Sequence, residues 1–145
     1  MLKTLRMYTS KISVTVDIVL IKDTNPKQLL LIKRKNEPFK DCWALPGGFV
    51  DENEDLEIAA KRELEEETQV KINELIQIGA YGKPFRDPRS HVVSIAYFST
   101  VNKNTIAKAS DDAKEAKWFK INDLPDLAFD HIDIINDTIN KHNLL

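Results

Sequence analysis

Residues 54–67 read as an amphipathic helix whose inward face changes chemistry partway along, and this limits the folds open to the chain. At about 100° per residue, Leu56, Ala59, Ala60 and Leu64 share one face. Glu63 and Glu67 fall within about 20° of Leu56, in the middle of that face, and Glu66 sits at its edge. Glu65 and Lys61 point the other way. Such a helix packs on an apolar layer at its N-terminal end and must meet something that accepts carboxylates at its C-terminal end. Buried like charges are costly unless a cation neutralises them, and Arg62 alone is too little for three. Carboxylate oxygens at i, i+3 and i+4 suit hard divalent cations such as Mg²⁺ or Mn²⁺. The negative end of the helix dipole sharpens the demand. A charged, solvated helix end is the other reading of the same glutamates.

The acid is local. Residues 51–67 hold nine acids against Lys61 and Arg62, a charge of −7, whereas the whole chain is −2, so the remainder is +5. No basic stripe suggests a nucleic-acid face. A chain of 145 residues fits one domain, 1–145. No apolar run approaches the ~18 residues of a membrane span. The N-terminal MLKTLRMYTSKISVTVD lacks the apolar core and small-residue cleavage site of a signal peptide. One cysteine, Cys42, excludes an internal disulfide and a Cys-rich zinc site. It has no neighbour that would activate it. These features together fit a cytoplasmic protein.

Periodicity and turn residues place the elements around that helix. Residues 11–21, 29–35, 72–82, 91–101 and 113–121 read as strands, and the run at 29–35 suggests burial on both faces. Residues 36–49 and 83–90 read as loops. A terminal helix spans 131–142 with Ile132, Ile135 and Ile139 on one stripe and Asp130 or Asp133 at its start. Mixed strands and two helices point to an α/β sandwich, and the lack of a repeating βαβ pattern disfavours a doubly wound parallel sheet.

The loop before the acidic helix adds a motif. Gly47 and Gly48 allow close backbone approach, so a carbonyl there could join a metal shell. From Gly48 the chain reads five residues, Glu54, seven residues, then Arg62-Glu63-Leu64-Glu65-Glu66-Glu67 and Val70. This resembles the Nudix box, G-x5-E-x7-R-E-U-x-E-E-x-G-U, at eight of its nine specified positions. The departure is Gln69, where the box has a glycine that ends the helix.

The resemblance implies an α/β/α sandwich with a mixed sheet and metal-dependent hydrolysis of a nucleoside diphosphate linked to another group. Glu63, Glu66 and Glu67 would hold Mg²⁺ or Mn²⁺, with the Gly47 carbonyl as a further ligand. Arg62 would orient the glutamates and Glu54 would support the network. The general base would be Glu63 or a carboxylate from elsewhere, with Asp111, Asp112 and Glu115 as candidates. Glu115 precedes Trp118 in a strand-like stretch and could face the cleft, Asp112 stays open beside it, and Asp111 reads more as a surface turn. Beyond the box, RDPRSHVVSIAYF, DDAKEAKWF and LPDLAFDHIDII are similar to the Nudix group of ADP-ribose pyrophosphatases and ADP-ribose-sensing regulators. Arg86 and Arg89 around Asp87-Pro88 are forked cations suited to phosphate or ribose oxygens. Phe85 could stack on a base, and Arg34 is a further phosphate contact.

The expected reaction is ADP-ribose to AMP and ribose 5-phosphate. A hydrolase of oxidised nucleoside triphosphates or of another nucleotide sugar is the alternative within the same chemistry. A non-catalytic ADP-ribose sensor is the alternative outside it, disfavoured by intact glutamates and a chain that ends after the terminal helix without a basic recognition element. The expected partner is the small-molecule nucleotide, and exposed apolar strands would allow a homodimer. Asp17, in an apolar strand, is expected to be hydrogen-bonded as structural support. His91 and His131 read as a strand start and a helix cap. Trp43 and Trp118 read as core or cleft rim.

Overall fold

The computed structural model describes residues 10–145. The leader segment read above for a signal peptide lies mainly outside the described residues. Seven strands form one sheet: β1 (Ser13–Lys22), β2 (Gln28–Arg34), β3 (Trp43–Ala44), β4 (Gly47–Phe49), β5 (Ile76–Tyr81), β6 (Val92–Val101) and β7 (Ala113–Lys120). The order is β3-β2-β1-β6-β5, with β4 pairing to β1 and β7 to β2. Only β1 and β6 run parallel, and every other pair of these strands is antiparallel. Helix α1 (Leu56–Thr68) covers one face and α2 (His131–His142) the other.

Strand alternation explains the two layers. From β1, Val16, Ile18 and Leu20 meet Ala59, Ala60 and Leu64 of α1, while Val19 and Ile21 meet Ile134, Ile135 and Ile139 of α2. In β2, Leu30 faces α1, and Leu29 and Leu31 face α2. Both strands are buried on both sides, as the apolar run at 29–35 suggested. The fold is therefore the expected α/β/α sandwich with a mixed sheet.

Two expectations are corrected. Residues 36–49 are not all loop: β3 and β4 lie within them, and β4 sets Gly47 opposite Asp17 and Gly48 opposite Val16. Pro46 and the Gly pair hide this strand from composition. In α2, Ile132 is 43% exposed and Ile134 fully buried. The inward face is centred on His131, Ile135 and Thr138, which puts Ile132 past its edge. Asp130 occupies the N-cap position without a capping bond, and Asp133 lies in the first turn.

Helix α1 starts at Asp55, whose carboxylate accepts from the Glu57 N–H at 3.1 Å. It ends at Gln69 in the left-handed conformation, φ 60°, with its N–H donated to the Glu65 carbonyl. Gln69 thus adopts the conformation that the box glycine would supply. The next carbonyls are not left open: Thr68 accepts from the Lys108 N–H and Glu67 from the Ser110 N–H. Gln69→Gly is expected to stabilise the fold by about 0.5 kcal/mol, because relief of about 1 kcal/mol of left-handed strain is partly offset by glycine's greater chain entropy. Thermal melting should register this as a rise of about 2 °C.

Candidate active site

A cleft of about 370 Å³ opens where β1, β4, the C-terminal half of α1 and the N-terminus of α2 meet. The β1–β4 pairing and the packing of α1 bring together residues far apart in sequence. Gly47 lies against the β1 backbone so closely that a side chain cannot be added, and Gly48 lies against the end of the Glu63 side chain. A Cβ at Gly47 would stand 2.1 Å from the Val16 carbonyl oxygen and 2.6 Å from an Asp17 carboxylate oxygen. A Cβ at Gly48 would stand 2.5 Å from the Glu63 carboxylate. Close approach to backbone requires glycine at Gly47, and a side chain at Gly48 would displace the Glu63 carboxylate; neither glycine has positive φ.

Three of the four predicted carboxylates are gathered by Arg62. Its Nε and Nη2 donate to both oxygens of Glu54 at 2.6 and 2.8 Å. Its Nη1 donates to Glu63 at 2.9 Å and to Glu66 at 3.2 Å, and Nη2 also donates to the Phe49 carbonyl at 3.1 Å. The bond from Arg62, helped by the Asp51 N–H, pulls the Glu54 carboxyl down to about 2. Arg62 itself is held above its ordinary value, chiefly by Glu54. Burial raises Glu63 despite Arg62.

Glu67 differs from the others. It is 5% exposed, and among the described residues its carboxylate has one polar partner, the Gly47 N–H at 2.8 Å. Burial, with the charges of Glu63, Asp17 and Asp112, pushes its carboxyl up to about 8 against that single bond. The glutamates therefore do not form a solvated helix end. Glu63 and Glu67 line the cleft; Glu66, bonded to Arg62, does not. Among the described residues no three His, Cys, Asp or Glu side chains already converge as a closed ligand set.

The opposite wall is cationic and aromatic. The Arg34 guanidinium lies 5.0 Å from the Phe129 ring centre, and Arg89 lies 4.9 Å from Phe49 and 5.7 Å from Phe129. Arg34 donates Nε to the Pro38 carbonyl at 2.7 Å. Its pKa is lowered by burial and by the nearby charge of Arg89. Two like charges held together are a site for an anion. Arg89 is aimed by the buried carboxylate of Asp87, which accepts from its Nε, Nη2 and backbone N–H.

Several sequence-based assignments shift. Arg86 lines the cleft, but its side chain is buried in a two-bond pair with Asp130, at 2.9 and 2.6 Å. It anchors the 83–90 loop to the start of α2. Phe85, φ 70°, is 94% exposed and does not line the cleft. Glu115 does not face the cleft: it stands opposite Lys33 on the β2–β7 pair, 3.5 Å from the Lys33 Nζ. Strand alternation turns it outward, and Asp112 is the carboxylate before β7 that lines the cleft. Phe49 and Phe129 escape the sequence reading because Phe49 ends a short strand hidden by its Gly pair and Phe129 reaches the cleft only through the docking of the turn before α2. His131 is not a simple cap but a buried cleft residue, 4% exposed. His91 precedes β6, with Nε2 3.1 Å from the Gly82 carbonyl. Trp43 packs edge-on against Phe119 at the margin of the α2-side core. Trp118 packs at the margin of the α1-side core.

An acidic helix end set against a Gly-Gly strand on a mixed α/β/α sandwich defines the class, and the NUDIX domain family model matches residues 11–138. The chain belongs to the Nudix family. It is 49% identical, over 98% of its length and 81% of the relative's, to an ADP-ribose pyrophosphatase of Methanocaldococcus jannaschii. Among solved structures it resembles a MutT/nudix family protein from Enterococcus faecalis, with a TM-score of 0.86 and 35% identity. That match covers 96% of this chain and 64% of the other. It also resembles the NUDIX domain of Shewanella oneidensis NrtR, which was crystallised with ADP ribose. There the TM-score is 0.85 and the identity 31%, covering 92% of this chain and 90% of that one. No helix among the described residues is long and apolar enough to cross a membrane.

Proposed function

We propose that the protein is a metal-dependent pyrophosphohydrolase that cleaves ADP-ribose to AMP and ribose 5-phosphate. The observation that carries this reading is one cleft with a buried carboxylate, Glu67, on one wall and two clustered guanidiniums, Arg34 and Arg89, on the other. A ligand that brings anionic oxygens to the arginines, together with a cation to the carboxylates, would satisfy both walls. The similarity to the archaeal pyrophosphatase supports ADP-ribose as that ligand.

The donor set fits a hard divalent ion, Mg²⁺ or Mn²⁺. Every candidate donor is an oxygen, and Glu67 is buried with no cationic side chain among the described residues bonded to it. Gly47, through its carbonyl, and Glu63 and Glu67 would hold the ion from the cleft wall, with Glu66, bonded to Arg62 just outside that wall, as the outermost of the three carboxylates. A bound divalent cation supplies neutralisation of the pyrophosphate oxygens and a water of lowered pKa. The chain's own residues do the rest. Arg34 and Arg89 bind the diphosphate oxygens as forked donors. Phe49 and Phe129, stacked with those guanidiniums, limit the directions in which they can point. Arg62 holds Glu63 and Glu66 in place, with Glu54 as its counter-anchor. Glu63 or Asp112 accepts the proton of the attacking water. The protein is taken to act as one cytoplasmic domain on a small nucleotide rather than on nucleic acid.

The test is phosphate-monoester release from ADP-ribose, 8-oxo-dGTP, NADH, diadenosine polyphosphates and nucleotide sugars, each with Mg²⁺ and with Mn²⁺. ADP-ribose should give the highest kcat/KM, with no turnover in EDTA. Faster turnover of another compound would keep the chemistry and discard the substrate. Tight ADP-ribose binding without turnover would replace the enzyme with a sensor.

A further inference from the structure

The link between β3 and β4 is two residues, Leu45 and Pro46. Proline has no N–H, so Leu45 carries the only amide proton of the link. Leu45 is 2% exposed, and a buried N–H without an acceptor is costly. The acceptor comes from 86 positions away: His131 Nδ1, 3.0 Å from the Leu45 nitrogen. The next amide proton, that of Gly47, goes to Glu67 at 2.8 Å. The turn is thus suspended between the start of α2 and the end of α1, both of its amide protons taken by side chains.

His131 has a second polar neighbour. Because Nδ1 accepts, the neutral ring carries its proton on Nε2, which lies 3.5 Å from Asp17 Oδ1. The other Asp17 oxygen accepts from the Ser94 hydroxyl. Asp17 stands opposite Gly47 in the β1–β4 pair, in the space that a Gly47 side chain would need. Ser94, Asp17 and His131 form a buried polar row, of which Asp17 and His131 line the cleft, and it ends on the Leu45–Gly47 backbone.

We infer that His131 is a positioning residue: through the Leu45 N–H and Asp17 it sets the Leu45–Gly48 turn, and with it the Gly47 carbonyl and the bond from Gly47 to Glu67. This deepens the proposed function, on which the metal-binding part of the inference rests. The part concerning the turn itself does not depend on it.

Asn and Gln variants separate the two contacts. In His131→Asn the new side-chain Oδ1 would stand where Nδ1 stands, keeping the acceptor for Leu45. In His131→Gln the longer side chain reaches toward Asp17 and gives up the Nδ1 position. The experiment is amide hydrogen exchange on the full chain without metal, read at Leu45 and Gly47 by NMR, beside Mn²⁺ affinity by electron paramagnetic resonance and steady-state kinetics. His131→Gln is expected to speed exchange at both amides about tenfold or more and to weaken Mn²⁺ binding about tenfold. Its kcat should fall while KM for ADP-ribose changes less than about twofold. His131→Asn should keep most of the protection and most of the Mn²⁺ affinity. Equal behaviour of the two variants, or a Gln variant with unchanged exchange at Gly47, would overturn the inference. If the wild type neither binds Mn²⁺ nor turns over ADP-ribose, the proposed function fails, and the exchange data still decide whether His131 holds the turn.

Discussion

Replacing Glu67 by Gln is expected to lower kcat/KM by about 10³ while making the metal-free protein more stable at neutral pH. The two effects have one cause. Loss of a metal-holding carboxylate removes several kcal/mol of transition-state charge stabilisation, and each 1.36 kcal/mol is tenfold in rate. In the metal-free fold the same carboxylate is a liability, because burial pushes it from 4.5 up to about 8. A carboxyl raised on folding binds more protons in the native state than in the unfolded one. Its contribution to stability is therefore complete below about pH 4.5 and is lost as pH rises through about 8. Between pH 4.5 and pH 7 that loss is of the order of 3 kcal/mol. Gln keeps an oxygen that can accept from the Gly47 N–H and removes the charge. The variant should therefore slope downward clearly less than the wild type, the remaining slope coming from Glu63, which burial also raises. Urea unfolding in EDTA at pH 5, 6, 7 and 8 measures this directly. A wild-type profile without that slope would mean that Glu67 is solvated, and an active Gln variant would remove it from the metal set.

Arg62→Lys should cost about 2 kcal/mol of stability and about 10²-fold in kcat/KM, although the charge is kept. The guanidinium spans both oxygens of Glu54 and still reaches Glu63, Glu66 and the Phe49 carbonyl. A lysine concentrates its donors on one atom and can serve one or two of these acceptors. Breaking a fully buried ion pair costs about 3–5 kcal/mol. The smaller loss expected here reflects solvent screening, since the Arg62 side chain is 25% exposed. The rate loss follows from the glutamates: with Arg62 gone, Glu63 and Glu66 have no common partner to orient them. Guanidinium unfolding and steady-state kinetics of Arg62→Lys, Glu54→Gln and the double variant test the coupling. The double variant should lose clearly less than the sum of the two single losses. Additive losses would mean that the two residues do not act as one unit.

How much of this is legible in the sequence varies by residue. Helical periodicity places Glu63 and Glu67 on the face of Leu56, and in the structure both do turn inward. The box spacing joins Gly48 to the same glutamates, and Gly48 does lie against Glu63, because the box residues belong to one strand–helix unit. Outside that unit the reading weakens. Arg86 and Arg89 look equivalent in RDPR, yet one is paired with Asp130 and the other with Asp87. Only the docking of the loop on α2 separates them. Glu115 is expected at the cleft from its strand-like setting, and a one-residue difference in strand phase turns it to Lys33.

What the sequence determined alone was therefore periodic and local: two helices, the long strands, and the acidic end of α1 with its glycine turn. Those follow from propensity and from the spacing of apolar and charged positions, which act over a few residues. The tertiary structure decided which distant groups meet. It set Asp17 beside Gly47, brought His131 to the Leu45 amide, and stacked Phe129 and Phe49 with Arg34 and Arg89. Each of those contacts depends on how the sheet pairs and where the two helices dock. That arrangement comes from burying two apolar faces at once, so no single segment encodes it.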